Sequence, residues 1–215
     1  MKSPQVTIVD YGMGNLLSVS RALEKVGASV TITSNSKDVI DANYLVLPGV
    51  GAFPNAMQAI RDLGLERALQ EVFQRQIPTL AVCLGMQLLM EESDEFGETI
   101  GLGIIEGKVI KIPRFGQDGK KLKSPHIGWS SLEYPSGRES WKDTVLSSNL
   151  PKEEVYFVHS YMVEPLLPQN IIATTTISGI ELPAVIENGS VTGCQFHPEK
   201  SGEIGLKILR NFICR

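Results

Sequence analysis

The sequence predicts an α/β fold: an open, mostly parallel central sheet flanked by helices, with antiparallel additions. Three observations predict it. Strand-length apolar runs alternate with helical stripes through the first half of the chain, the pattern of βαβ units whose parallel sheet is buried on both faces. In the second half the period changes to strands joined by Asp-Gly and Asn-Gly, which are hairpin signals. The composition is 42% hydrophobic and 20% charged over 215 residues, that of a globular chain large enough to bury a full core.

The elements follow in order. Val6 to Val9 is a short apolar strand, stopped at Tyr11-Gly12-Met13-Gly14. Leu16, Val19, Leu23 and Val26 then recur at helical spacing, with Asn15 as N-cap and Gly27 as the stop. Ser29 to Thr33 and Tyr44 to Leu47 read as the next strands, the second closed by Pro48-Gly49-Val50-Gly51. A helical stretch begins near Pro54, breaks at Gly64 and resumes through Leu65, Leu69 and Val72. Thr79 to Val82 is a fourth strand, and Met86 to Met90 is expected to open another helix. Beyond it, 103–112, 155–163 and 171–177 are β-rich, and Asn188-Gly189 joins two strands as a hairpin. The chain ends in an amphipathic helix through Ile204, Ile208, Leu209 and Phe212. With no linker, repeat or low-complexity segment, residues 1–215 are expected to form a single domain.

Charge and cysteine content exclude some classes. A formal net charge of −4, from 20 Lys+Arg and 24 Asp+Glu, excludes a strongly basic nucleic-acid binder. Cys83, Cys194 and Cys214 are odd in number and widely spaced, which suits neither a disulfide framework nor a zinc site. No metal or cofactor is expected. The opening MKSPQVTIVDYG lacks a signal-peptide core, so a cytoplasmic location is expected.

Three segments carry chemistry. In Ala81-Val82-Cys83-Leu84-Gly85-Met86-Gln87 a buried strand ends, a nucleophilic side chain follows and a helix starts behind it. This is a nucleophile elbow with Cys in the usual Ser position. The helix start favours a thiolate on Cys83, and the Leu84 N–H can donate to an oxyanion. The bland alternative is a buried core thiol. In Gln195-Phe196-His197-Pro198-Glu199 a strand delivers His197 at its end, with a carboxylate two residues on to hold one imidazole nitrogen. A surface His beside a surface Glu is the alternative there. The glycine-rich Leu47-Pro48-Gly49-Val50-Gly51-Ala52-Phe53 exposes backbone amides suited to an oxyanion. It has no Gly-Lys-Ser/Thr, which excludes a Walker loop.

Together these segments resemble the class I, triad-type glutamine amidotransferases. More narrowly, the chain is similar to the glutaminase subunits of imidazole glycerol phosphate synthase, over essentially its whole length. The narrower likeness rests on Asp10-Tyr11-Gly12-Met13-Gly14-Asn15, Pro48-Gly49-Val50-Gly51, Pro125-His126-Ile127-Gly128-Trp129 and Phe157-Val158-His159-Ser160-Tyr161. The resemblance implies a flavodoxin-like fold and glutamine hydrolysis without a cofactor. Cys83 would attack the side-chain amide, His197 would act as base and then acid, and Glu199 would hold His197. Leu84 and an amide of Gly49, Val50 or Gly51 would meet the oxyanion. Gln87, Glu95, Ser160 and Tyr161 would bind the glutamine head group, although Glu95 also reads as part of a solvated acidic helix end. The implied partner is a HisF-like (β/α)8-barrel cyclase subunit, which would receive the ammonia and make imidazole glycerol phosphate. Its contacts would include Tyr11, Met13, Asn15, His126, Trp129, Tyr161 and Lys200.

Two residues depart from the family pattern. Ala81 stands where Gly is usual at the start of the elbow, and Ser130 stands where Asn usually follows Trp129. Ser130 leaves open a paralogous glutaminase that feeds a surface-sugar amidotransferase. The readings of other classes are a catalytically silent interaction subunit, or else a cysteine hydrolase on a related elbow fold. The basic run Lys108, Lys111, Arg114, Lys120, Lys121 and Lys123 reads as a solvated hairpin.

Overall fold

In the computed structural model, which describes residues 3–215, strand β1 (Gln5–Val9) lies parallel between β2 (Ser29–Thr33) and β3 (Tyr44–Leu47). Strand β4 (Thr79–Val82) follows β3, and the late strand β13 (Val191–Cys194) pairs parallel with β4. The antiparallel strands β12 (Ile180–Asn188) and β11 (Ile171–Ile177) extend that edge. The order β11-β12-β13-β4-β3-β1-β2 is the expected mixed sheet, parallel over five strands.

Alternating side chains build a core on each face. Val6, Ile8, Val46, Leu80 and Val82 point to one side, where helices α1 (Leu16–Lys25) and α6 (Gly202–Ile213) cover them. Leu45, Leu47 and Ala81 point to the other, under α3 (Phe53–Asp62) and α4 (Leu65–Gln74). The start of α1 is capped as expected: Asn15 Oδ1 accepts from the Ser18 N–H at 3.4 Å. Gly64, at φ +66°, is the joint between α3 and α4. The Asn188-Gly189 hairpin joins β12 to β13.

Several expectations need correction. The helix after the elbow, α5, covers only Leu84–Leu88, and Met90–Ser93 is a strand, β5. Residues 84–90 are buried on every side, so no polar face marks the helix end. Tertiary pairing decides it instead. β5 runs parallel to β7 (Ile105–Lys111) in a four-stranded sheet with β6 (Thr99–Ile100) and β10 (Tyr161–Pro165). The β-rich run 155–163 is two strands, split at Ser160. β9 (Glu154–His159) pairs with β8 (His126–Ser131) in a separate ribbon, whereas β10 joins β7. The short helix α2 (Ser36–Ile40), capped by Asn35, and strand β8 were not anticipated. Among the described residues, no helix is long and apolar enough to cross a membrane.

Candidate active site

The three chemistry-bearing segments leave the sheet side by side, because β3, β4 and β13 are neighbours and parallel. Their carboxyl ends form one edge, where open α/β sheets bind ligands. Cys83 sits between β4 and α5 at φ 55°, ψ −110°, a backbone conformation rare for a side chain beyond glycine. Two contacts hold this turn. The Cys83 N–H donates to the Cys194 carbonyl at 2.7 Å. Gly85 packs so closely on β3 that a Cβ there would run into the Leu47 carbonyl.

His197 lies three residues beyond the end of β13 (Val191–Cys194) rather than at the strand end as expected, with bends at 195 and 196 carrying the chain to it. Its N–H donates to the Tyr156 carbonyl at 3.0 Å, and Ser201 Oγ donates to its carbonyl at 2.6 Å. Nδ1 lies 2.8 Å from Glu199 Oε1, with both side chains almost wholly buried. This contact assigns the Nδ1 proton to the carboxylate side and leaves Nε2, which has no hydrogen-bond partner among the described residues, for Cys83. Burial alone would oppose charge on His197. The neighbouring Cys83 sulfur and then Glu199 outweigh it, pushing the pKa up to about 9. The surface-pair alternative for His197 and Glu199 is therefore not what the fold builds.

A cavity of about 340 Å³ opens beside Cys83. Its wall includes His197, Leu84, Val50, Gly51, Gln87, Glu95, Ser160 and Tyr161. Gln87 Nε2 donates to the Tyr161 carbonyl at 3.2 Å. Glu95 is buried rather than part of a solvated helix end, and its Oε2 accepts from the Phe53 N–H, at the start of α3, at 2.7 Å. That carboxylate thus anchors the end of the glycine loop as well as facing the cavity.

The oxyanion site is not open. The Leu84 N–H, expected to face an anion, donates to the Gly49 carbonyl at 3.3 Å. The Val50 N–H points away and donates to the Met13 carbonyl at 3.2 Å. A buried amide needs an acceptor, and here the Gly49 carbonyl supplies it. The loop is packed tightly at Gly49, where a Cβ would press on Tyr11 Oη, Gly85 N and Leu84 Cβ. The geometry thus offers a thiol, a base held by a carboxylate, a substrate-sized cavity and an oxyanion loop in its closed arrangement.

The family model described as "Glutamine amidotransferase class-I" matches residues 7–215. The chain belongs to the class-I glutamine amidotransferases. It is 44% identical over 208 residues to "Imidazole glycerol phosphate synthase subunit HisH 1" of Legionella pneumophila (strain Lens), covering 97% of this chain and 98% of that protein. It is also 44% identical over 209 residues to "Imidazole glycerol phosphate synthase subunit HisH" of Geobacillus sp. (strain WCH70), covering 96% and 95%. Among solved structures, PurLQS from Thermotoga maritima is similar at TM-score 0.70 and 19% identity, over 99% of this chain and 98% of that one. A glutamine amidotransferase from Thermotoga maritima matches at TM-score 0.59 and 17% identity, over 93% and 77%. At those identities the two structures speak for the fold.

Within this amidotransferase the expected partner contacts separate. Trp129, Lys200 and Asn15 are exposed, whereas Met13, His126 and Tyr161 are half-buried. Tyr11 is a correction. It is only 3% exposed, and its hydroxyl donates to the Pro48 carbonyl at 2.7 Å. It braces the oxyanion loop from inside and presents nothing to a partner. Burial also pushes the Tyr11 hydroxyl pKa up. Tyr156 was missed. Its ring centroid lies 6.0 Å from that of Trp129, and Lys200 Nζ sits 6.0 Å above it. Tyr156 is opposite Trp129 in the β8–β9 register, so recognising β8 would have exposed the pair. His159 was also missed. It lines the Cys83 cavity, donates from Nδ1 to the Tyr161 carbonyl at 2.8 Å, and burial lowers its pKa to about 4.

Proposed function

We propose that this chain is the glutaminase subunit of an imidazole glycerol phosphate synthase, acting as one domain, and that Cys83, His197 and Glu199 hydrolyse glutamine. The observation that carries the reading is the buried 2.8 Å His197–Glu199 contact behind a cysteine on a nucleophile elbow. Cys83 attacks the side-chain amide carbon, and His197 passes a proton to the departing ammonia. Water then attacks the glutamyl thioester with His197 as base, releasing glutamate and the thiol. Gln87, Glu95, Ser160 and Tyr161, which face the cavity, bind the head group.

The reaction needs the oxyanion loop to turn over, so that the Gly49 carbonyl leaves Leu84 and a loop amide replaces it. Two long hydrogen bonds, at 3.3 and 3.2 Å, hold the closed arrangement. At about 0.5–1.5 kcal/mol each, they are small enough for partner binding to offset. The partner in this reading is a HisF-like barrel cyclase in the cytoplasm, docked over Trp129, Lys200, Met13, Asn15, His126 and Tyr161. It takes up the ammonia to make imidazole glycerol phosphate and an aminoimidazole carboxamide ribotide.

Glutamate release by the purified chain, alone and with the cyclase plus its nucleotide substrate, tests this. Turnover rises in the complex and vanishes in Cys83→Ala. Turnover by Cys83→Ala at the wild-type rate contradicts the reading. Rescue of a histidine auxotroph separates it from a surface-sugar paralogue, which would leave the auxotroph unrescued.

A further inference from the structure

Gln195 is wholly buried two residues before His197, and the proposed chemistry gives it no task. Its Nε2 lies 3.8 Å from Cys83 Sγ, within hydrogen-bonding reach of sulfur. Its Oε1 accepts from Gln87 Nε2 at 3.1 Å, and that same nitrogen donates to the Tyr161 carbonyl at 3.2 Å. The orientation of both amides follows from one fixed point. A backbone carbonyl can only accept, so Gln87 must turn its NH2 toward Tyr161. The second hydrogen of that NH2 then meets Gln195, which must present oxygen. This forces the NH2 of Gln195 onto the sulfur. His197 and the Tyr11 hydroxyl are the titratable groups beside the sulfur; besides them it meets the Val158 carbonyl at 3.9 Å, which can accept only from the protonated thiol. The two non-titrating neighbours therefore favour opposite states of the sulfur: Val158 the thiol, Gln195 the thiolate.

We propose that Gln195 is a positioning residue for the nucleophile: its side-chain N–H holds the Cys83 sulfur as the reactive anion, and its carbonyl ties that sulfur through Gln87 to the glutamine site. The inference rests on the reading of Cys83 as the nucleophile. It acts at both ends of the cycle. In the first half, the sulfur uses its electron pair to form the S–C bond while the C–N bond breaks and ammonia leaves with the proton from His197. In the second, water adds to the thioester carbon, His197 takes the water proton, and the C–S bond breaks. The sulfur leaves with its electron pair and meets the Gln195 N–H again. Gln87 keeps its Oε1 free for the substrate, so the same pair of amides sets both substrate and sulfur.

The test uses Gln195→Met, close in size but without a donor, and Gln195→Glu, which still accepts from Gln87 but offers oxygen to the sulfur. Cys83 alkylation by iodoacetamide is followed by peptide mass spectrometry across pH, and glutaminase kcat and KM are measured in the complex with the cyclase. Both variants should alkylate and turn over about 10- to 100-fold more slowly at pH 7, the scale of one hydrogen bond to a charged group. The alkylation profile should move to higher pH in both, with KM for glutamine nearly unchanged in Gln195→Glu, which keeps the acceptor for Gln87, and raised in Gln195→Met, which does not. Wild-type alkylation by a folded variant overturns the inference, as does loss confined to KM. Should either variant not fold, the wild-type protein decides by NMR: the Gln195 side-chain amide must titrate together with Cys83 alkylation, and an amide that does not move overturns it. If Cys83→Ala keeps glutaminase activity, the nucleophile reading itself has failed. If Cys83→Ala is dead and the Gln195 variants are normal, this inference alone has failed.

Discussion

Replacing Glu199 by Gln tests the base without touching the nucleophile or the cavity wall. The carboxylate lies 2.8 Å from His197 Nδ1, and the two side chains are 2% and 3% exposed. Unit charges at that range attract by roughly 6 kcal/mol at an effective dielectric near 20, and losing one member of a buried pair costs about 3–5 kcal/mol. His197 must be charged while it carries the proton between sulfur and ammonia, so most of that cost enters the barrier. At 1.36 kcal/mol per tenfold, glutaminase kcat should fall by about 10²- to 10⁴-fold. A glutamine side chain that offers its NH2 to Nδ1 does further harm, because it selects the tautomer with a proton on Nε2, which cannot accept one from Cys83. Glu199 does not line the substrate cavity, so KM should change little. Folding is checked by urea titration, since the new NH2 can land where Oε2 is now buried without a partner. The assay is glutamate release by the complex at saturating glutamine. A folded Glu199→Gln protein with wild-type kcat would refute the orienting role.

Other outcomes are expected. Gly49→Ala forces a Cβ against Tyr11 Oη, Gly85 N and Leu84 Cβ, so urea unfolding should show a loss of about 1–3 kcal/mol. Tyr11→Phe removes the 2.7 Å bond to the Pro48 carbonyl and should cost about 0.5–1.5 kcal/mol by the same measurement. The Tyr11→Phe interface with the cyclase should stay intact in a titration, because Tyr11 is buried. Trp129, 53% exposed, behaves oppositely: Trp129→Ala should weaken cyclase binding by about 2 kcal/mol or more while leaving monomer stability within about 0.5 kcal/mol. His159 sets an acid limit. Its pKa is about 4 in the fold against an ordinary 6.5, so the unfolded chain holds the extra proton between those values and stability falls as pH drops through them, by about 3 kcal/mol in all. His159→Asn, whose Nδ2 can still reach the Tyr161 carbonyl, should flatten that part of the stability profile.

Most of the frame was legible because the central strands are short, mostly apolar and bounded by glycine, proline or a cap. Val6–Val9, Tyr44–Leu47 and Thr79–Val82 are of this kind, and their parallel order brings Cys83, the glycine loop and His197 to one edge. Where burial is uniform, periodicity carries no information. Residues 84–90 are buried all round, and only the pairing of Met90 with Ile105 shows that the helix has ended. Ser160 marks a change of sheet that no local preference announces, since both flanking strands are equally β-rich. The state of the oxyanion loop was beyond reach because it depends on which carbonyl the Leu84 amide meets across 35 residues. Tyr11 was misplaced for a related reason. The resemblance put it among the partner contacts, whereas its hydroxyl is satisfied inside by Pro48.

The central claim is that Cys83 forms the covalent intermediate, and the most direct measurement is intact-protein and peptide mass spectrometry of the glutamine-turning complex quenched in acid. The account predicts a single glutamyl adduct on the peptide containing Cys83, more abundant in a variant slowed at water attack and absent from Cys83→Ala. A turning-over enzyme that carries no adduct on Cys83, or carries it on Cys194 or Cys214, would contradict it.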